Sequence, residues 1–264
     1  MDFSAAIDHQ GALSVSITPL PASRIVYEKW FYRCFLIGND IVDLLYFDTP
    51  LYRHVRYISR LCSPSEARAL RQSADGNRDL AILWSAKEAA YKLLANQLGL
   101  RHFVPREFVT NFAGFETTAN RVSLETAYGE AQAHVDVHVH ERWVHAIARF
   151  ERRCAFDWRV EEISGWQSGG VTPDEESESV RELAAKLIAE HGWDGVSIDS
   201  KNGIPRLKQA VDSGLRIDVS LSHHGYFVAA AIAWSAEDIH RRPDMERDVI
   251  VGAQLGEACS ICMA

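Results

Sequence analysis

The sequence has no surplus of positive charge. Its formal net charge is −8 at pH 7, which argues against a general nucleic-acid binder, since such proteins are usually basic. It has no long apolar run. The longest unbroken one, Phe227 to Trp234, is far too short to span a bilayer. The opening residues, MDFSAAIDHQ, have neither a basic start nor an apolar core, so no secretory signal is read there. Cysteine is scarce. The five are Cys34, Cys62, Cys154, Cys259 and Cys262, odd in number and mostly scattered, which suits a reducing cytoplasm. Cys259 and Cys262 form one Cys-x-x-Cys without a second pair, open to reading as a half zinc site, a redox pair or a loose tail. What remains is a globular composition, 47% hydrophobic and 24% charged over 264 residues, sufficient for one large domain or two small ones.

The chemistry gathers on Trp84-Ser85-Ala86-Lys87-Glu88-Ala89-Ala90-Tyr91-Lys92. The pattern predicts a helix from about Asp79 to Leu98, closed by Gly99 as a C-terminal cap. Glu88 and Lys92 are four apart and share a face. That face could hold a divalent cation on the carboxylate and a phosphate oxygen on the lysine, or it could carry an ordinary surface pair. Upstream, the aromatic and β-branched run from Ile25 to Ile37 predicts strand feeding into Gly38-Asn39-Asp40. A strand ending in Gly-x-Asp sets Asp40 at a sheet edge, unless Asp40 only caps a helix. Arg53, Arg56, Arg60, Arg68, Arg71 and Arg78 make a basic segment in an acidic chain, either a solvated face or a dock for an acidic partner. Within it, Ser63-Pro64-Ser65-Glu66 predicts a helix start with a capping box.

Alternation in Ala12–Ile17 suggests an early strand, and others are expected at Phe108–Phe112, Ala133–His140 and Trp143–Phe150. His134, Asp136, His138 and His140 alternate on one strand face, which reads as a zinc face or as a solvated face opposite Val135, Val137 and Val139. Gly165–Glu178 reads as linker and Val180–His191 as an amphipathic helix. A hairpin follows around Val196–Leu207, whose Lys201, Asn202, Gly203 and Arg206 form a small basic turn. Two strands then flank Ser222-His223-His224-Gly225, a turn that could hold a phosphate or be a plain β-turn. A Ser222–His223 nucleophile pair is disfavoured, because neighbours on a strand point to opposite faces. Helix, hairpin and strand pair recur after Trp84 and after Val180. The expected fold is therefore α+β, two similar lobes forming a pseudo-repeat, each a long helix packed on a small antiparallel sheet. The boundaries are 1–160 for the first lobe, 161–178 for a linker, 179–236 for the second lobe and 237–264 for a flexible tail.

Four stretches stand in one order: GNDIVDL, WSAKEAAYK, NGIPRL and SLSHHGYFVAAAIA. Together, over roughly residues 36 to 234, they resemble the 4′-phosphopantetheinyl transferase superfamily. The Asp motif first and the Ser-His motif last is the order of the small, trimeric holo-acyl-carrier-protein synthases, here in a longer chain. The larger surfactin-synthetase-activating type has the opposite order and a third acid two residues after the Asp. That position is Val42 here, so a water, or Asp43, would fill the gap. The resemblance implies transfer of 4′-phosphopantetheine from coenzyme A to a serine of an acyl or peptidyl carrier protein, with magnesium, releasing adenosine 3′,5′-bisphosphate. It implies Asp40 and Glu88 as metal ligands, Glu88 and Lys92 as catalytic residues, and Lys87, Lys92, Ser222 and His223 as contacts to coenzyme A. A cytoplasmic monomer without nucleic-acid or membrane partners is expected. The alternatives are a magnesium-dependent phosphoesterase acting on a small substrate, and a non-catalytic carrier-binding module.

Overall fold

A computed structural model describes residues 2–7, 13–18, 36–47, 54–98, 100, 102–111, 121–129, 131–150, 155–163, 172–193, 195–201, 204–209 and 217–234. The chain divides into two units, Met1–Cys34 and Phe35–Ala264. The first unit contains an antiparallel pair, β1 (Asp2–Ile7) and β2 (Leu13–Thr18), with Asp2 opposite Thr18. From Leu13 on, the alternating stretch read at Ala12–Ile17 is β2, while β1 has no comparable signal. The strand expected over 25–35, the cap at Gly99, Arg53, the Asn202-Gly203 turn and the tail with Cys259 and Cys262 lie outside the described residues.

The second unit is built on β3 (Ile37–Asp43), buried along its whole length. It is the edge of an antiparallel sheet that continues through β7 (Trp143–Arg149), β6 (Ala131–Val139), β5 (Arg121–Tyr128) and the short β4 (Val109–Thr110). Among the described residues, three α-helices precede β4: α1 (Val55–Leu61), α2 (Pro64–Gln72) and α3 (Gly76–Leu98). The capping box at Ser63 forms as read. Ser63 Oγ accepts from the Glu66 amide, and Glu66 Oε2 accepts from the Ser63 amide at 2.6 Å. Ile58, Leu61, Ala67, Leu70, Leu80 and Leu83 bury together where α1 and α2 meet α3.

The helix α3 lies against β3, β7 and β6. Its buried face is largely small, with Ala86, Ala89 and Ala90 beside Leu93 and Leu94, so helix and sheet approach closely. Gly38 marks the closest point. A Cβ there would stand 2.1 Å from the Ala89 carbonyl oxygen and 2.7 Å from the Leu93 nitrogen. Only a residue without a side chain fits under the helix at this position.

The other face of this sheet is covered as well. A three-stranded sheet, β11 (Ile217–His224), β12 (Phe227–Trp234) and β8 (Ala155–Glu162), packs against it. β12 is buried on both faces. Phe227, Ala229, Ala231 and Ala233 meet Ile37, Ile41 and Ile147. Val228, Ala230 and Ile232 meet Val180, Leu183, Leu187 and Ile188 of α4 (Pro173–Glu190). The layers therefore run helix, sheet, sheet, helix. A separate hairpin, β9 (Val196–Lys201) with β10 (Ile204–Gln209), completes the described elements.

Several expectations need correction. The span expected as linker, 161–178, holds the end of β8 and the first turns of α4, which begins with its own Thr172–Glu175 capping box. β8 pairs with β12, so residues 155–162 belong to the second sheet and not to a lobe ending at 160. The two helix-on-sheet halves differ in strand number and order; mixed helix and antiparallel sheet is what stands, and a repeat is not established. The His134-to-His140 face is not solvated throughout. Asp136 is buried and ion-paired to Arg149, and His138 packs 4.4 Å from the Trp158 ring across the sheet interface. Among the described residues no group of three metal-ligating side chains of the His, Cys, Asp or Glu type is found.

Candidate active site

The close approach at Gly38 fixes what happens two residues further along β3. Gly38 and Asp40 share the strand face that meets α3. Asp40 is therefore carried up to the last turns of the helix, where Lys92 projects. Lys92 Nζ donates to Asp40 Oδ1 at 3.0 Å and stands 3.7 Å from Glu88 Oε1. The second sheet adds Ser222, whose hydroxyl donates to Asp40 Oδ1 at 3.0 Å and accepts from Lys92 Nζ at 3.2 Å. Four of the residues singled out in the sequence, Asp40, Glu88, Lys92 and Ser222, thus meet at one seam between the sheets. Asp40 is buried, while Lys92 and Glu88 each retain 27% of their side-chain exposure.

Burial pushes the Asp40 carboxyl up to about 7; the Lys92 ammonium pulls it down and the Glu88 carboxylate pushes it up further. For Lys92, burial works against the charged form, but Asp40 and Glu88 outweigh it and hold the amine above its ordinary value. Asp40 Oδ2 is buried and has no hydrogen-bond partner among the described residues. A buried carboxylate oxygen without a partner needs a reason, and a divalent cation is one that fits. Magnesium is commonly held by one or two carboxylates together with substrate phosphate oxygens. Asp40 Oδ2 and the half-buried Glu88 could supply two such oxygens.

Ser222 belongs to a row. In β11, Asp218, Ser220, Ser222 and His224 lie on one face, and each caps an amide on the free edge of β3. Ile37 N donates to Asp218 Oδ2 at 3.0 Å, Asn39 N to Ser220 Oγ at 2.9 Å, Ile41 N to Ser222 Oγ at 3.2 Å and Asp43 N to His224 Nδ1 at 3.0 Å. Side chains thus satisfy an edge that would otherwise be left unpaired. Sequence reasoning missed the row, although a polar residue at every second position of Ile217–His224 was its signal.

Three expected positions fall elsewhere. Lys87 is not beside the cluster. It is fully buried on another face of α3, and its ammonium donates to Glu66 Oε2 at 2.7 Å, Leu61 O at 2.9 Å and Pro105 O at 3.1 Å. An ammonium has three donors, and all are spent inside the protein, so the expectation that Lys87 binds coenzyme A is withdrawn. Asp43 faces away from Asp40. Its two oxygens accept from Leu45 N at 2.9 Å and Tyr226 N at 2.9 Å, which makes it a turn organiser and removes it as a third ligand. Gly225, at φ +59° in the hairpin turn, would put a Cβ 2.5 Å from Asp43 Oδ2. His223 points away from Ser222, is 45% exposed, and has Nδ1 3.0 Å from Glu176 Oε2 of α4.

On α1 and α2, Arg56, Arg60, Arg68 and Arg71 are exposed. Arg56 and Arg60 are one turn apart, as are Arg68 and Arg71, so each pair shares a helix face. Val55, beside Arg56, is 81% exposed.

No curated protein matches the chain. Among solved structures, holo-[acyl-carrier-protein] synthase from Neisseria meningitidis is similar at 16% identity, over 76% of this chain and 97% of that one, with a TM-score of 0.27. At that score the likeness carries no argument. The family model described as the 4′-phosphopantetheinyl transferase superfamily matches residues 36–148. The stretch that carries Asp40, Glu88 and Lys92 is thus the part of the chain that matches the 4′-phosphopantetheinyl transferase superfamily.

Proposed function

We propose that this protein transfers the 4′-phosphopantetheine group from coenzyme A to a serine of an acyl or peptidyl carrier protein, with magnesium, releasing adenosine 3′,5′-bisphosphate. The observation that carries the reading is the meeting of Asp40, Glu88 and Lys92 with Ser222 from the second sheet, within a segment that matches the superfamily. In the reaction the carrier serine oxygen bonds to the phosphorus that bears the pantetheine. The bond from that phosphorus to the bridging oxygen breaks, and the bisphosphate leaves. Glu88, the more exposed carboxylate, takes the serine proton. Lys92 stabilises the charge that grows on the phosphoryl oxygens, as a preorganised donor does. Asp40 and Glu88 would hold magnesium, which would supply Lewis-acid polarisation of the phosphate. Ser222 fixes Lys92 and Asp40 relative to each other and contacts coenzyme A. His223 lies at the rim as a further contact.

The exposed Arg56, Arg60, Arg68 and Arg71 suit an acidic carrier surface, and complementary charge chiefly speeds and orients encounter. The reading includes a cytoplasmic monomer whose two helix-on-sheet halves are degenerate copies of one unit. The test is mass spectrometry of apo carrier proteins incubated with coenzyme A and this protein, with and without magnesium. The expected result is the mass gain of one phosphopantetheine, only when magnesium is present. Release of phosphate or nucleotide without any change in carrier mass would favour a phosphoesterase.

A further inference from the structure

Ser85 is fully buried on a face of α3 that it shares with Ile82, Ala89 and Leu93, all buried as well. Alanine is the better helix former, and a serine inside a helix competes with the backbone for hydrogen bonds. A buried hydroxyl in such a place needs a partner. A helical serine commonly turns back onto the carbonyl four residues earlier. Ser85 instead reaches across to the strand, where its Oγ donates to the Asp40 carbonyl oxygen at 3.2 Å. The bond joins the backbone of one carboxylate to the helix that carries the other, since Glu88 follows Ser85 by three residues on the same side of α3.

A second contact turns this bond into a register pin. Gly38 lies under Ala89 and Leu93, and Asp40 lies at Ser85. Ala89 and Ser85 are four residues apart on the helix, roughly 6 Å. Gly38 and Asp40 are two apart on the strand, roughly 7 Å. The two spacings match, with helix and strand running in opposite directions. The glycine sets how near α3 comes to β3, and the hydroxyl sets how far along it sits. A slip of one helical residue would carry Glu88 and Lys92 about 1.5 Å along the axis and turn them by about 100° relative to Asp40. Lys92 is a poor pin, because its flexible four-carbon stem lets the ammonium follow a displaced carboxylate. The short side chain of Ser85 has no such slack.

We propose that Ser85 is a positioning residue that fixes the gap between Asp40 and Glu88 and thereby makes the pair favour magnesium over calcium. The assignment rests on the transferase reading, in which the two carboxylates share one magnesium ion. Magnesium demands near-ideal octahedral geometry at short distance, whereas calcium accepts longer bonds and irregular coordination. A loosened gap therefore penalises magnesium more than calcium.

Calorimetric titration of the intact protein with magnesium chloride, and separately with calcium chloride, needs no turnover. Ser85→Ala removes the hydroxyl but suits the helix, so its melting temperature should stay near that of the unaltered protein. It should weaken magnesium binding by about two- to tenfold, the scale of one hydrogen bond, and calcium binding by less, so that the ratio of the two affinities falls. Ser85→Thr keeps the hydroxyl and should restore the ratio, whatever its extra methyl group does to the melting temperature. A serine that served only the fold would change stability and leave the ratio fixed. Unchanged magnesium affinity in Ser85→Ala, or equal weakening of both ions, overturns the assignment and leaves the transferase reading intact. A folded Ser85→Thr that behaves as Ser85→Ala does the same. If Ser85→Thr does not fold, Ser85→Cys decides. Its thiol is a weak donor, so its ratio should fall between those of serine and alanine, and a ratio equal to that of alanine overturns the assignment. No magnesium binding by the unaltered protein overturns the metal reading and the role of Ser85 together.

Discussion

Two lysine–carboxylate clusters sit on α3 within five residues of each other, and they differ in what they leave unsatisfied. Around Lys87 everything is spent. The ammonium has three acceptors, and Glu66 accepts from Ser63 N, Thr110 N and Lys87. Both side chains have no exposure. Around Lys92 the count is open. Asp40 Oδ2 has no partner among the described residues, Glu88 is half-buried, and the nearer ion pair is complemented by a hydroxyl from another sheet. A closed cluster fastens the fold, here by tying the end of α1, the start of α2, the turn at Pro105 and β4 to α3. An open cluster of the same residue types keeps capacity for something not in the chain. Satisfaction, more than residue type or burial, separates the two.

The largest effect should come from the open cluster. Asp40→Ala and Glu88→Gln should each abolish detectable phosphopantetheine transfer. Because the two act as one unit, the double variant should lose no more than either alone. Glu88→Gln should melt close to the unaltered protein. Full transfer by Glu88→Gln would break the comparison at once.

The closed cluster should answer in stability. Lys87→Ala leaves Glu66 buried and uncompensated, and should cost about 3–5 kcal/mol in denaturant unfolding. Lys87→Met combined with Glu66→Gln should recover part of that loss, since removing both charges is milder than removing one. Recovery stops short of complete because Glu66 also caps Ser63 N and Thr110 N. A stable Lys87→Ala that no longer binds coenzyme A would reverse the roles given to the two lysines.

Lys92→Ala comes next. It should retain magnesium, read by calorimetry, while losing about 2.7–4 kcal/mol of transition-state stabilisation, the scale for one preorganised donor. Loss of metal together with rate would mean that the amine organises the carboxylates and does not act on the phosphate.

A smaller effect is the pH dependence of the open cluster. Asp40 is raised from 3.8 to about 7 in the folded protein. The protonated form favours folding, so that contribution is complete below the unfolded value of about 3.8 and is lost as pH rises through about 7. Without metal, the part of the melting temperature due to Asp40 should fall between about pH 4 and 7 and level off above, and Asp40→Asn should remove it. Magnesium competes with that proton, so its affinity should climb by up to about tenfold per pH unit below 7 and level off above. A flat profile would mean that the carboxylate is already ionised in the empty cluster.

The smallest effect is at the arginine helices. Arg56→Glu with Arg60→Glu should raise KM for the carrier several-fold, leave KM for coenzyme A unchanged, and lose its effect as salt shortens the screening length. Equal changes for both substrates would move these arginines from docking to folding.

What the sequence conveyed follows from how local the causes are. The Ser63–Glu66 box reads directly, because a capping box is a matter of three residues. Asp40, Glu88, Lys92 and Ser222 were legible because motif order singled them out. Lys87 was not: its acceptors at Leu61, Glu66 and Pro105 lie 18 to 26 positions away, and no spacing rule connects them. His223 was singled out ahead of His224 because the choice depends on which face of β11 meets β3, and that is set by Ile217, Val219 and Leu221 packing the opposite face under α4. The Thr172-Pro173-x-Glu175 signal for α4 was present but lay inside a stretch whose Gly, Ser and acidic content reads as linker. β8 does alternate, apolar Phe156, Trp158 and Val160 against polar Asp157, Arg159 and Glu161, and the apolar set packs on the first sheet; that signal was present and went unread.

The side-chain row on β11 also sets a schedule. Each amide it caps on β3 lies 181 positions earlier in the chain. A ribosome adding about 5–20 residues per second takes roughly ten to thirty-five seconds to cover that distance. During that interval the nascent chain carries β3 with its outer amides open and its eventual caps not yet made. Such an edge invites pairing with other strands. The growing chain is thus most exposed to mispairing, and most in need of a chaperone, after the first sheet can form and before Ser222 and His224 emerge.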